Sequence, residues 1–161
     1  MKNIKRICLL DLSADNTIVE SVGLGSLSAY LKKNGYETKL MAFSENTVDY
    51  HEIKTFSPDV IGIPVNFETI KFVQRVCSTI LQILPNIIFF TGGYLATNNP
   101  EEVLKDVPSF EFAIRGEGEE TLLDVIQAIA SEKPYSTVNR VTVMPDGRGS
   151  ADRNRVVASP S

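Results

Sequence analysis

The sequence predicts an α/β fold: an open, doubly wound parallel sheet of five strands with helices on both faces, followed by a C-terminal β-hairpin extension. Three observations lead there. Short apolar runs alternate with helical-period segments through the first 131 residues. The connections between the runs are too long for hairpins, so neighbouring strands run parallel. Runs such as Ile7-Cys-Leu-Leu10 and Ile87-Ile-Phe-Phe90 are continuously apolar, as strands covered on both faces are.

Taken in order, Lys5 to Asp11 is the first strand, running into a polar loop from Asp11 to Asn16. Val22 to Asn34 has apolar residues at helical spacing, with Gly35 as its stop. Glu37 to Ala42 is a short second strand, and Val48 to Phe56 a short helix ended at Ser57-Pro58. Asp59 to Ile63 is the third strand. Phe67 to Leu84 is a long amphipathic helix carrying Ile70, Val73, Val76, Cys77, Ile80, Leu81 and Leu84 on one side, closed by Pro85-Asn86. Ile87 to Thr91 is the fourth strand and ends on Gly92-Gly93. Pro100 to Lys105 is a helix with proline in its first turn, Phe110 to Ile114 the fifth strand, and Glu117 to Ser131 the last helix. Beyond Pro134, Val138 to Met144 alternates, and Pro145-Asp-Gly147 is a turn leading to a return strand near Val156-Val157. The chain thus divides into an α/β domain, residues 1–134, and a hairpin extension with a flexible tail, residues 135–161.

Bulk properties exclude several functions. With 161 residues, 43% hydrophobic and 22% charged, the chain has an ordinary globular composition, and a net charge of -4 argues against a nucleic-acid footprint. No run is long enough to cross a membrane, and the apolar run after the basic N-terminus is too short for a signal peptide. Cys8 and Cys77 fall inside apolar patterns and read as reduced core thiols of a cytoplasmic protein. His51 is the only histidine, which excludes multi-histidine metal sites and argues against a triad.

In a doubly wound sheet, ligands bind outside the carboxyl ends of the strands, where strand order reverses. Four loops meet there: Asp11 to Asn16, Pro64 to Thr69, Gly92 to Asn99 and Arg115 to Glu119. Taken singly, each has a bland reading. Gly92-Gly93 serves equally as a tight turn, and Arg115-Gly-Glu-Gly-Glu-Glu120 places acids where a helix dipole favours them. Gly23-Leu-Gly-Ser-Leu-Ser28 imitates a dinucleotide fingerprint, but Ser28 replaces the third glycine and the preceding strand ends well upstream. A phosphoacceptor reading fails because the third strand leads into Pro64-Val-Asn66 without an aspartate. No catalytic or metal-ligating constellation is visible.

Several segments together resemble one family: Val22-Gly-Leu-Gly-Ser-Leu-Ser-Ala-Tyr-Leu31 with Asn34-Gly35, Pro58-Asp-Val-Ile-Gly-Ile63, Thr91-Gly-Gly93, Pro100-Glu-Glu-Val-Leu104 and Arg115-Gly-Glu-Gly-Glu-Glu-Thr-Leu122. Their order and spacing resemble the N-terminal cobalamin (B12)-binding domain of B12-dependent radical S-adenosylmethionine enzymes, from Lys5 to about Asp146. The resemblance implies a flavodoxin-like (Rossmann-like) sheet holding a corrinoid over its strand ends, the nucleotide tail running toward Gly92-Gly93. By the same carry-over the cofactor-binding residues are Leu12, Ser13 and Ala14 under the corrin; Pro64, Val65, Asn66 and Thr69 after the third strand; Gly92, Gly93 and Tyr94 after the fourth; and Arg115, Gly116, Glu117, Gly118 and Glu119 at the rim.

Three departures qualify the likeness. The loop Asp11-Leu-Ser-Ala-Asp-Asn16 has no histidine for cobalt, so any cobalamin would bind without a protein histidine ligand. Pro64 stands where relatives often have a serine, and proline donates no hydrogen bond. Two cysteines cannot supply the three-cysteine motif of a 4Fe-4S cluster. The resemblance therefore implies a binding module, not catalytic alone, from a larger enzyme. The cluster and S-adenosylmethionine would belong to a downstream radical domain, in the same chain or another subunit, and the whole enzyme would transfer a methyl group or support a radical rearrangement. The alternative is a degenerate domain that has kept the fold and serves as a docking surface.

Overall fold

The computed structural model describes residues 3–13 and 22–144. Its strands are β1 (Arg6–Ser13), β2 (Glu37–Ser44), β3 (Val60–Gly62), β4 (Ile88–Thr91), β5 (Phe110–Ile114) and β6 (Val141–Thr142). Its helices are α1 (Val22–Lys33), α2 (Tyr50–Phe56), α3 (Ile70–Ile83), α4 (Tyr94–Asn98), α5 (Pro100–Asp106) and α6 (Glu119–Ala130). The sheet order is β2-β1-β3-β4-β5-β6, with the first five strands parallel and β6 antiparallel to β5. This is the flavodoxin-like arrangement, and its order reverses between β1 and β3. The expected extension thus begins as a sixth strand of the same sheet. The return strand expected near Val156-Val157 lies outside the described residues.

Two cores flank the sheet. One holds Cys8, Leu10, Ile61 and Phe89 with α2, α3 and α5; the other holds Ile7, Leu9, Phe90 and Phe112 with α1 and α6. Residues adjacent along a strand serve opposite cores, which is why the central strands read as continuous apolar runs.

Local chemistry explains where boundaries depart from sequence expectation. Asp11 to Ser13, expected in a loop, continue β1, because β1 and β2 stay paired through Ser13 and Ser44, and Leu12 keeps the inward phase of Leu10. The long helix starts at Ile70, three residues later than its periodicity suggests. Asn66 Oδ1 accepts the Glu68 and Thr69 amides, both at 3.0 Å, while Thr69 Oγ1 accepts the Asn66 amide at 3.1 Å. That reciprocal turn holds Phe67 and Glu68 outside the helix. α2 begins at Tyr50 because the Asp49 carboxylate accepts the Glu52 amide at 2.9 Å. α4 falls in the stretch expected as loop, because five residues are too few to show a helical period. Asp59, expected within the third strand, instead accepts the Lys5 and Arg6 amides at 2.8 and 2.9 Å, tying β3 to β1.

Gly62 is the tightest point of the sheet. A Cβ built there would stand 2.4 Å from the Phe90 ring, which stacks on Phe112 at 5.3 Å and 4°. Phe112 in turn meets Tyr135 at 5.3 Å, and the Tyr135 hydroxyl donates to the buried Glu111 carboxylate at 3.3 Å. The β4–β5 register shifts between Phe89 and Phe90, so that Phe90 pairs with Phe112.

Gly62→Ala is expected to lower stability by ~1–3 kcal/mol, the usual penalty of overpacking, with part of the loss recovered by adding Phe90→Leu; an unchanged urea midpoint would contradict the contact. The cysteines supply a second expectation. Burial pushes the Cys8 thiol up to about 12, with smaller opposing effects of Lys39 and Glu52, and burial pushes Cys77 up as well. In the unfolded chain both ionise near the ordinary thiol pKa of ~8.5. The unfolded chain then binds fewer protons than the folded one. Stability should be full below that pKa and fall as pH rises toward about 12, by up to ~1.4 kcal/mol per pH unit per thiol. Urea titrations across that range measure the slope, and a flat profile would show the thiols to be solvated.

Candidate functional site

The carboxyl ends of β3, β4 and β5 open into a cleft of about 550 Å³. One wall is the first turns of α1, with Gly23, Leu24, Ser26 and Leu27; the other is the turn from β5 into α6, with Gly116, Glu117, Gly118 and Glu119. Its remaining lining is Gly62, Ile63, Pro64, Phe90, Gly92, Gly93 and Ile114. The Ser26 hydroxyl donates to the Glu119 carboxylate at 3.1 Å, joining the two helix starts.

Backbone conformation makes room here. Gly93 sits at φ 97 and ψ -166, a region essentially closed to side chains. Gly92 lacks a positive φ, and a Cβ on it would meet only the Ile114 carbonyl at 3.8 Å. Of the pair, Gly93 is therefore required by the turn, whereas Gly92 leaves space. Thr97 couples the β4 and β5 turns: its hydroxyl donates to the Gly93 carbonyl at 2.7 Å and accepts the Gly116 amide at 2.9 Å. The apolar surface comes from Leu24, Leu27, Phe90 and Ile114, the polar atoms from backbone amides and the mouth carboxylates. A glycine-walled, apolar-lined slot of this size fits the flat base and sugar of a nucleotide tail.

Of the residues singled out from sequence, the cleft gathers Pro64, Gly92, Gly93, Gly116, Glu117, Gly118 and Glu119. Arg115 lies in an adjoining cavity of about 540 Å³ with Gly116, Glu117, Asn139 and Arg140. Leu12 and Val65 are buried in the core on the other face, and Ser13 ends β1 half-buried. Ala14 lies outside the described residues. Asn66 and Thr69 are engaged in the turn before α3, and Tyr94 is 84% exposed, away from the cleft lining. The expected set lacks Gly62, Ile63, Phe90, Ile114, Asn139, Arg140 and the start of α1. A signal existed for two of these: a glycine within an apolar strand marks close approach, and Gly23 and Ser26 belong to the stretch set aside as a weak fingerprint.

His51 is exposed on α2, which packs on the opposite face of the sheet from the cleft. No group of three or more histidine, cysteine or acidic side chains is placed to hold a metal among the described residues. No helix among them is long and apolar enough to cross a membrane.

The fold is of the flavodoxin-like class, and the cleft lies beyond the carboxyl ends of β3 to β5, to one side of the order reversal between β1 and β3. Residues 12–126 match the B12 binding domain model, and the chain belongs to that family. It is 31% identical over 145 residues to the anaerobic magnesium-protoporphyrin IX monomethyl ester cyclase of Rubrivivax gelatinosus, covering 84% of this chain and 25% of that protein. The chain thus spans about a quarter of that relative's length. Among solved structures it resembles the radical S-adenosylmethionine methyltransferase TsrM from Kitasatospora setae with cobalamin and a 4Fe-4S cluster bound, with TM-score 0.74 and 16% identity over 88% of this chain and 27% of that one. It also resembles a cobalamin-binding protein from Desulfitobacterium hafniense DCB-2, with TM-score 0.59 and 12% identity over 76% of this chain and 58% of that one. These two likenesses establish the fold.

Because Gly92 has room on both its backbone and its surroundings, Gly92→Leu should leave the melting temperature within a few degrees while filling the cleft. Gly93→Leu should destabilise the turn by ~1–3 kcal/mol. Thermal melts of the two variants decide; equal losses would assign both glycines to the turn.

Proposed function

We propose that this domain binds cobalamin with the nucleotide tail in the cleft between α1, α6 and the ends of β3 to β5, and with no protein ligand to cobalt. The observation that carries the reading is the glycine-walled, apolar-lined slot of about 550 Å³ at the strand ends. Gly92, Gly93, Gly116 and Gly118 would admit the tail, and Leu24, Leu27, Phe90 and Ile114 would pack against its base. The absent histidine in the first loop supports the unligated mode, since the sole imidazole lies on the far side of the sheet.

When bound, the corrinoid supplies carbon–cobalt chemistry, such as methyl transfer or support of a radical rearrangement. This chain's own part is to bind, orient and shield. With two cysteines, both buried, it cannot provide the three thiolates of a radical 4Fe-4S centre. The reading therefore pairs it with a radical S-adenosylmethionine domain, in the same chain or another subunit, and places it in the cytoplasm, where buried free thiols stay reduced. The names of its relatives make ring cyclisation or methyl transfer the activities to seek in the whole protein.

A second reading, a docking surface, has one observation in its favour: Phe67 and Tyr94, after adjacent strands, are 77% and 84% exposed. Mixing the protein with hydroxo- or methylcobalamin and recording the visible spectrum after gel filtration separates the two. Cobalamin binding gives a coloured protein fraction that Gly92→Leu bleaches; a colourless fraction at saturating ligand would favour docking.

A further inference from the structure

Three non-glycine residues among those described have a left-handed backbone: Ser57, Glu132 and Arg140. Ser57 is the C-cap of α2, and Glu132 follows the C-cap of α6, where left-handed residues are ordinary. Arg140 is at no helix end. It has φ 67 immediately before β6, and its carbonyl accepts the Arg115 amide at 2.8 Å. Facing it is Gly116, also left-handed at φ 73; the Arg140 Nη1 lies 3.6 Å from where a Gly116 Cβ would be. Such strain in a bulky side chain persists where the surroundings hold it, often at binding sites.

The strained turn places two guanidinium groups in one cavity of about 540 Å³, with Asn139 and Glu117, and this cavity shares Gly116 and Glu117 with the cleft. Arg115 Nε is buried and has no hydrogen-bond partner. No salt bridge ties Arg115 or Arg140 to the carboxylates of Glu117, Glu119 or Glu120 among the described residues. Glu117, Glu119 and Glu120 join Arg140 around a neighbouring space of about 460 Å³, and Glu117 and Glu119 also line the slot, so Arg140 adjoins the slot across its acidic wall. Two unpaired guanidiniums and an amide beside a slot suited to a nucleotide tail form a donor set for a phosphate.

We infer that Arg140, assisted by Arg115, recognises the phosphodiester of the cofactor's nucleotide tail. The assignment rests on the cobalamin-binding reading and deepens it. It makes Arg140 a specificity residue, favouring corrinoids that carry the phosphate over those that end before it.

Fluorescence-quenching titrations of the whole chain with cobalamin, cobinamide phosphate and cobinamide test this, because only the last lacks the phosphate. Arg140→Gly removes the side chain and relieves the backbone, so it should melt no lower than the native protein. It should weaken cobalamin and cobinamide phosphate by about tenfold or more while leaving cobinamide unchanged. Arg140→Lys, keeping the charge without the fork, should lie between. If Arg140 instead only offsets the acidic mouth, all three corrinoids shift together; that outcome, or no shift at all, overturns the assignment and leaves cobalamin binding intact. If none of the three binds the native chain, the cobalamin reading fails and the assignment with it.

Discussion

The Phe90 ring lies against Gly62, where even a methyl group would collide with it, and the face of the sheet beneath α1 and α6 is built on that contact. Without a side chain on Gly62, β3 leaves Phe90 room to stack on Phe112, and Phe112 meets Tyr135, whose hydroxyl reaches the buried Glu111. The register shift of β4 against β5 belongs to the same arrangement, since it sets Phe90 beside Phe112. Of this aromatic stack Phe90 reaches the lining of the cleft.

The two faces of the sheet carry different burdens. The larger core, under α2, α3 and α5, contains both cysteines and no part of the cleft floor other than Ile63; its business is stability. The other face opens at its upper end because the first turn of α1 and the turn into α6 are held apart by small residues and linked by Ser26 and Glu119. Thr97 binds the glycine turns after β4 and β5 to one another through a single hydroxyl. The two turns thereby form one continuous wall of the cleft.

Pro64 fits this picture as a wall residue. Its Cβ is 3.8 Å from the position a Gly93 side chain would take, so proline and glycine shape the same corner of the cleft. It donates no hydrogen bond, and Arg115, Asn139 and Arg140 gather in the adjoining cavity. The charges around it are mixed, and Arg140 is the one placed against Gly116.

Periodicity and connection length were enough for the α/β class and for a parallel sheet of five strands. Those are local properties, and β5 keeps the expected bounds Phe110–Ile114, its five residues all buried because both faces of the sheet are covered. Gly92, Gly93 and the Gly116 to Glu119 turn were legible because glycines at strand ends are conspicuous. Tertiary structure decided the rest. It carried β1 to Ser13 by pairing it with β2, and it delayed α3 to Ile70 through the Asn66 and Thr69 side chains. It also revealed α4, which is too short to have a period. Only in three dimensions does Arg140, distant in sequence from Gly116, come to face it, and only there does the start of α1 become a wall of the cleft. Side chains that meet across the sheet leave no periodic trace along the chain, so the residue pattern foretold the strands and their glycine ends, while packing chose which side chains line the cleft between them.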